Sequence, residues 1–233
     1  GKGFYTVKGP VFANFVLADE INRSPPKVQS ALLEAMQERQ VTIGKETFKL
    51  PEPFFVMATQ NPVENLGTYK LPEAQTDRFL FKLKMTYPTM EEEQEILEKN
   101  MTLKNFSDYK LEAVITVDEI LRIQELVKKI VINKKIEEYI IRIVDATRNP
   151  KKYKLENAKY IQYGSSPRSS IAMFISSKAH ALVKGRTFVT AQDVKEVAYN
   201  VLRHRILLNF EGEAEDIPTE DIITEILQKV PVL

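Results

Sequence analysis

Phe15-Val16-Leu17-Ala18-Asp19-Glu20 decides how this chain reads: an apolar run of four residues delivers two adjacent carboxylates. Runs of this kind, bounded by polar residues, mark strands of an α/β sheet, and open α/β sheets bind their ligands at the carboxyl ends of the strands. Phe54-Phe55-Val56-Met57-Ala58-Thr59 is a second such run and ends in Gln60-Asn61-Pro62. Both are expected to be buried strands. Between them Ser24 and Pro25 read as N-cap and first turn of a helix through about Arg39, with Val28, Ala31, Leu32, Ala35 and Met36 on its sheet-facing side. Val41 and Ile43, Gly44-Lys45, then Phe48 and Leu50 predict a β-hairpin over Gln40–Leu50. Phe81-Lys82-Leu83-Lys84-Met85 alternates as one more strand.

Working outward, the pattern changes near Pro88. Residues 1–88 hold 8 of the 12 prolines and 5 of the 8 glycines, and the remainder is helical in period, so two domains are expected, 1–88 and 89–233. Capping boxes at Thr89/Glu92 and Thr116/Glu119 open helices at about 89–100 and 117–130. Ile136, Tyr139, Ile140, Ile143 and Val144 mark a third helix. Ser166-Pro167 opens a fourth with Ala172, Ile175, Ala179 and Leu182 on one face, Thr190/Asp193 opens a fifth, and Ile222–Leu227 forms a short terminal helix. The segment Asn149–Tyr163 reads as an exposed basic linker.

Composition narrows the chemistry. The 233 residues carry 33 Lys+Arg against 32 Asp+Glu, a net charge of +1, so no global field recruits a polyanion. Without cysteine and with only His180 and His204, thiol chemistry and Cys- or His-rich zinc sites fall away, and both histidines are expected to be structural. No apolar run approaches the ~18 residues of a membrane span, so a cytoplasmic protein is expected.

Asp19-Glu20 at a strand end is a Walker B pattern: the first carboxylate would hold Mg²⁺ through water and the second would polarise attacking water. Asn61 on the neighbouring strand end could bond both the γ-phosphate and that water, the sensor 1 role. Each signal alone also describes an ordinary strand end or an Asn-Pro turn. Lys128-Lys129, Lys134-Lys135 and Lys151-Lys152-Tyr153-Lys154 suggest a basic stripe, which Glu137, Glu138 and Glu156 dilute into a solvated surface.

The order of the motifs says more. Leu17–Lys27, Ala31–Glu38, Ala58–Pro62, Gly67-Thr68-Tyr69, Leu71–Gln75, Asp77-Arg78-Phe79 and Gly164-Ser165-Ser166-Pro167-Arg168 resemble the MoxR family of AAA+ ATPases along nearly the whole chain. The resemblance implies an α/β AAA+ core followed by an all-α lid domain. It implies Mg²⁺ and ATP as cofactors, Asp19 as the metal- and cofactor-binding acid, Glu20, Asn61 and Arg78 as catalytic residues, and Arg168 as sensor 2, a second cofactor-binding group. Arg78 would be an arginine finger reaching a neighbouring subunit's nucleotide, and Arg168 would act there too if the lid is displaced. Taken as a bare dipeptide, Asp77-Arg78 reads equally as a surface ion pair, and Arg168 as a solvated arginine on an amphipathic helix. The hairpin falls where this branch carries a pre-sensor-1 hairpin, with Lys45, Glu46 and Lys49 near its tip, and Phe4–Val7 would be a returning strand of the helix-2 insert. The family further implies a homo-oligomer, a hexameric ring, with clients or partners bearing a von Willebrand factor A domain, and no membrane or nucleic acid.

One element of such an ATPase is missing from these residues: the Gly-x-x-x-x-Gly-Lys-Ser/Thr loop that cradles phosphates. Gly1-Lys2-Gly3 does not replace it, since no strand precedes it and no Ser or Thr follows the lysine. The chain is therefore expected to be a partial core, the C-terminal two-thirds of such a protein, and not to hydrolyse ATP alone. Two rival functions are open to the same residues, a DNA-remodelling motor of the same branch and a nucleotide-free interaction module.

Overall fold

The computed structural model describes residues 7–61, 69, 71–100 and 111–232. Phe4–Thr6 of the expected strand Phe4–Val7, and Gly67-Thr68 of the Gly67-Thr68-Tyr69 motif, lie outside these. β1 (Phe15–Ala18) and β4 (Phe55–Ala58) pair in parallel, Phe15 opposite Phe55 and Ala18 opposite Ala58. Between them run α1 (Pro26–Glu38), β2 (Gln40–Ile43) and β3 (Glu46–Lys49). The expected hairpin forms, with β2 and β3 antiparallel and Gly44 in the left-handed region at φ 65°. Leu50 donates its N–H to Arg39 O at 2.8 Å, and Phe48 meets Phe12 edge-on, which fixes the hairpin against the rest.

The core behind the two strands is small: Ala35, Leu50 and Phe54, with Val16, Val56, Met36 and Val41 packed around them. One strand face covers this core. The other presents Phe15, Leu17, Phe55 and Met57 in register and exposed, so the runs expected to be buried on both faces alternate instead. Two further expectations change locally. Ser24 closes the 3-10 turn Ile21–Arg23, Pro25 is the N-cap and Pro26 opens α1, so the helix begins one residue later than expected. Its buried side carries Gln29, Leu33 and Ala35, while Val28 is exposed, because contact with the Ile21–Ser24 turn outweighs hydropathy in setting its rotation.

From residue 90 the chain is helical: after the short α2 (Glu73–Thr76) come α3 (Met90–Asn100), α4 (Val117–Lys129), α5 (Lys134–Arg148), α6 (Pro167–Val183), α7 (Ala191–Leu202), α8 (Phe210–Ala214) and α9 (Thr219–Lys229). Thr116 and Thr190 make full capping boxes with Glu119 and Asp193. A single core, built from α5, α6, α7 and α9, centres on Tyr139, Ile143, Met173, Val194, Val201, Leu202, Ile222, Ile223 and Ile226. His180 bonds the buried Asp193 through Nδ1 at 2.7 Å, which fits its structural reading.

Three expectations are corrected here. Residues 81–89 form no strand, because their backbone is claimed by the helical part: Lys82 N–H donates to Asn200 O at 2.9 Å. Residues 149–163 expose their lysines as expected but are not a linker. They fold as two 3-10 turns and β5 (Ile161–Tyr163), which pairs antiparallel with β6 (Leu207–Leu208), while Leu155 and Tyr160 are buried. On α6 the buried face is Ser169, Ala172, Met173, Ser176 and Ala181, and Ile175 is exposed, because small residues let α7 approach closely. Among the described residues no helix is long and apolar enough to cross a membrane.

Candidate functional site

The parallel register brings Asp19 and Thr59 side by side, each one step beyond its strand. Thr59 N–H donates to Ala18 O at 3.0 Å and Ile21 N–H to Thr59 O at 3.0 Å, which carries the ladder past the strand ends. The Thr59 hydroxyl donates to Asp19 Oδ1 at 2.5 Å and accepts the Glu20 N–H at 2.8 Å. One hydroxyl therefore fixes both acids. Glu20 sits in the left-handed region at φ 48°, a conformation a β-branched or bulky residue avoids, and its carboxylate meets Arg23 Nε at 3.0 Å. Asp19 is exposed and Glu20 half-buried, so both carboxylates are reachable from solvent.

Two neighbours brace this corner. Gln29, almost wholly buried in α1, points its Nε2 at the carbonyls of Ile21, Ser24 and Tyr69, each at 3.1 Å. Asn22 donates through Nδ2 to Asn61 O at 3.3 Å, which ties Asn61 to the same turn. The candidate acids and the candidate amide thus share one strand edge. Thr59 and Gln29 were not singled out from sequence. The hydroxyl one position beyond the second strand, in register with Asp19, was the available signal for Thr59; nothing in the sequence marks Gln29.

The donor set fits hydrated Mg²⁺ bound to phosphates. Asp19 offers one carboxylate whose Oδ2 has no protein donor among the described residues, and Mg²⁺ usually takes one or two carboxylates with waters and phosphate oxygens. Among the described residues no cluster of three or more His, Cys, Asp or Glu forms an all-protein metal cage.

The two candidate arginines lie elsewhere. Arg78 donates through Nη1 to Gln37 Oε1 at 2.6 Å, near the C-terminal end of α1. The acids adjoin the N-terminal end of α1, and Pro26 to Gln37 spans about 16 Å at 1.5 Å per residue. Arg168, at the second position of α6, bonds Asp77 Oδ2 through Nη1 at 3.1 Å. Arg168 is therefore bonded to the residue that precedes Arg78 in the chain, and Arg78 itself lies away from the acids of the same chain.

What holds this cluster is the segment Leu202-Arg203-His204-Arg205-Ile206. Arg205 is 5% exposed and spends all five N–H groups: Nε on Asp77 Oδ1 at 2.9 Å, Nη1 on Leu80 O and Val201 O, Nη2 on Asp77 O and Phe79 O. His204 Nε2 donates to Phe79 O at 3.0 Å, and Arg203 bonds Lys82 O and Glu220. Asp77 does not pair with Arg78; it accepts from Ser166 Oγ at 2.9 Å, Arg168 and Arg205. Burial alone would raise the Asp77 carboxyl, but the hydrogen bonds from Ser166, Arg168 and Arg205 outweigh it and hold it below the usual carboxylate value. Charges set between the apolar runs Val201-Leu202 and Ile206-Leu207-Leu208 were a legible sign of a buried cation.

The motif Gly164–Arg168 is explained residue by residue. Gly164 lies against the last turn of α5, where a Cβ would stand 2.4 Å from Thr147 O. Ser165 N–H donates to Thr147 Oγ1 at 3.0 Å, and Arg148 Nε donates to Ser165 O at 2.7 Å. Ser166 caps α6 by accepting the Arg168 N–H at 3.2 Å, and Pro167 fills the first helical position.

Comparison with known proteins agrees with this architecture. Residues 1–81 match the ATPase family associated with various cellular activities (AAA), and residues 154–226 match the AAA lid domain. The chain is 46% identical over 228 residues to Chaperone MoxR1 of Mycobacterium tuberculosis, covering 97% of this chain and 59% of that protein. It is also 46% identical over 226 residues to the uncharacterized protein YeaC of Bacillus subtilis, covering 96% of this chain and 68% of that protein. The chain belongs to the MoxR family of AAA+ ATPases. A crystal structure of a putative ATPase from Cytophaga hutchinsonii superposes with a TM-score of 0.91 at 50% identity, over 97% of this chain and 68% of that one. The MoxR-type chain described here thus spans about three-fifths to two-thirds of the length of these relatives, and its fold is an AAA+ core with an AAA lid.

Proposed function

We propose that the full-length polypeptide is a Mg²⁺-dependent, cytoplasmic ATPase that hydrolyses ATP at subunit interfaces of a ring, a hexamer, and uses the turnover to remodel or mature client proteins. Residues 1–88 form the C-terminal part of its nucleotide-binding domain and 89–233 its lid. Asp19 holds the metal through water, Glu20 polarises the attacking water, and Asn61 orients that water and the γ-phosphate. When bound, Mg²⁺ neutralises charge developing on the phosphoryl group. The phosphate-binding loop is supplied by sequence beyond these 233 residues, so this stretch alone does not turn over ATP.

The observation that carries the reading is the separation of the acids from the arginines along α1. A site needing both is completed only when the Arg78 and Arg168 edge of one subunit meets the Asp19 and Glu20 edge of the next. Arg78 then stabilises the transferring phosphoryl group, an effect worth ~10³–10⁵ in rate for such fingers. Partners with a von Willebrand factor A domain are the proposed clients, and the exposed tip Lys45-Glu46 is a proposed client contact. A DNA motor is less well supported, because Lys128 and Lys152 of the basic stripe are paired with Glu125 and Asp145.

Mixing variants of the full-length protein tests this. Glu20→Gln subunits and Arg78→Ala subunits are each expected to be inactive while still binding ATP, and their mixture to regain turnover, because interfaces with an intact acid pair and an intact finger re-form. Full turnover by Arg78→Ala alone, or a mixture as inactive as its components, refutes the interface reading.

A further inference from the structure

Asp77 is the meeting point of the finger segment and the helical domain. Its carboxylate takes Ser166 Oγ, Arg168 Nη1 and Arg205 Nε, and the carbonyls of Asp77, Phe79 and Leu80 are held by the same buried Arg205. Two guanidinium groups, Arg168 and Arg205, thus meet at one carboxylate, and Arg78 follows that residue directly in the chain. Only Arg205 is buried and fully used. Arg78 and Arg168 reach the surface, Arg168 with half its side chain exposed.

We propose that Asp77 and Arg205 are positioning residues that clamp the Arg78 segment to the N-terminus of α6, so that Arg78 and Arg168 are presented as one preset pair to the terminal phosphate held by the adjoining subunit. This rests on the interface reading above and adds to it a device inside each subunit. The clamp joins the finger to the lid rather than to the strands: Arg78 itself touches α1 through an exposed contact with Gln37, whereas the carbonyls of residues 77, 79, 80 and 82 and the N–H of Lys82 bond Asn200, Arg203, His204 and Arg205, in α7 and the turn after it. A rotation of the lid therefore carries finger and sensor together. Moving the Arg78 segment relative to Arg168 would break the Asp77 bonds. Ser166 serves two ends of this device, capping α6 and donating to Asp77, which accounts for its place in the motif.

The test uses Asp77→Asn in the full-length protein, with Arg78→Ala as the control for the interface reading. Asp77→Asn is expected to lower kcat about tenfold or more, as small misplacements of catalytic groups do, with KM for ATP within about twofold. Mixed with Glu20→Gln subunits, it is expected to regain turnover, because the Glu20→Gln chain supplies an intact finger pair to the intact acids of the Asp77→Asn chain. A merely misfolded subunit cannot be complemented in this way. Wild-type kcat in Asp77→Asn with Arg78→Ala inactive overturns the clamp and leaves the interface reading standing; wild-type kcat in Arg78→Ala overturns both. If Asp77→Asn does not assemble, Ser166→Ala removes one donor to Asp77 and keeps Arg205 in place. Its kcat is expected to fall about threefold or more while KM holds, part of the worth of one hydrogen bond to a charged group, and unchanged kcat there overturns the clamp.

Discussion

Gly164→Ala isolates the close approach on which the Gly164–Arg168 motif depends. The added Cβ would stand 2.4 Å from Thr147 O, 2.5 Å from Thr147 C and 2.7 Å from Arg148 Cα, all backbone atoms of the last turn of α5 that no rotamer change can move. Relief requires about 1 Å of separation, judged against ordinary carbon contacts of about 3.5–4.0 Å. That shift breaks the bonds of Ser165 N–H to Thr147 Oγ1 and of Arg148 Nε to Ser165 O. Overpacking costs about 1–3 kcal/mol, and the two lost hydrogen bonds add about 2 kcal/mol. A total of about 4 kcal/mol corresponds to a fall in Tm of about 10 °C for a protein of this size. Gly185→Ala is the comparison: its φ is 72° but nothing lies within 4 Å of the new Cβ, so only backbone strain of about 1 kcal/mol is expected. Thermal unfolding followed by circular dichroism reads both. A Gly164→Ala protein melting within 2–3 °C of wild type (about 1 kcal/mol), or no less stable than Gly185→Ala, would show that the motif does not depend on this contact.

Two further expectations are checked by other means. Thr59→Val keeps the shape of the side chain and removes the hydroxyl that holds Asp19 and the Glu20 N–H; ATP turnover of the full-length protein should fall about tenfold, the worth of one good hydrogen bond, and unchanged turnover in a steady-state assay would refute its positioning role. His204 ordinarily titrates near 6.5, and burial first, then the Arg205 charge, push it down to about 4. The unfolded chain takes up this proton as pH falls through 6.5 and the folded chain does not until about 4, so stability present above pH 6.5 is lost progressively towards pH 4. The loss is of order 3 kcal/mol. Urea unfolding at pH 7 and 4.5 should show a steeper drop for wild type than for His204→Gln, and equal drops in the two proteins would contradict the assignment.

The sequence by itself determined what depends on local order. Strand runs ending in Asp19-Glu20 and Asn61, the hairpin around Gly44, and capping boxes at Thr116 and Thr190 are written in neighbouring residues, because strand alternation, turn chemistry and capping act over a few positions. The family was legible for the same reason, since its motifs are short and ordered. Only the tertiary structure decided which faces are buried and which charges meet. Val28 and Ile175 carry helical hydropathy yet lie exposed, because contact with a turn or a neighbouring helix sets rotation. Phe81–Met85 alternates like a strand, but Asn200 and Arg203 take its backbone groups. Asp77 stands 89 to 128 positions from its partners Ser166, Arg168 and Arg205, and no periodicity spans such a gap. That a buried arginine binds residues 77–80 to the lid follows from packing, where an unpaired buried charge is too costly to persist and five donors must each find an acceptor.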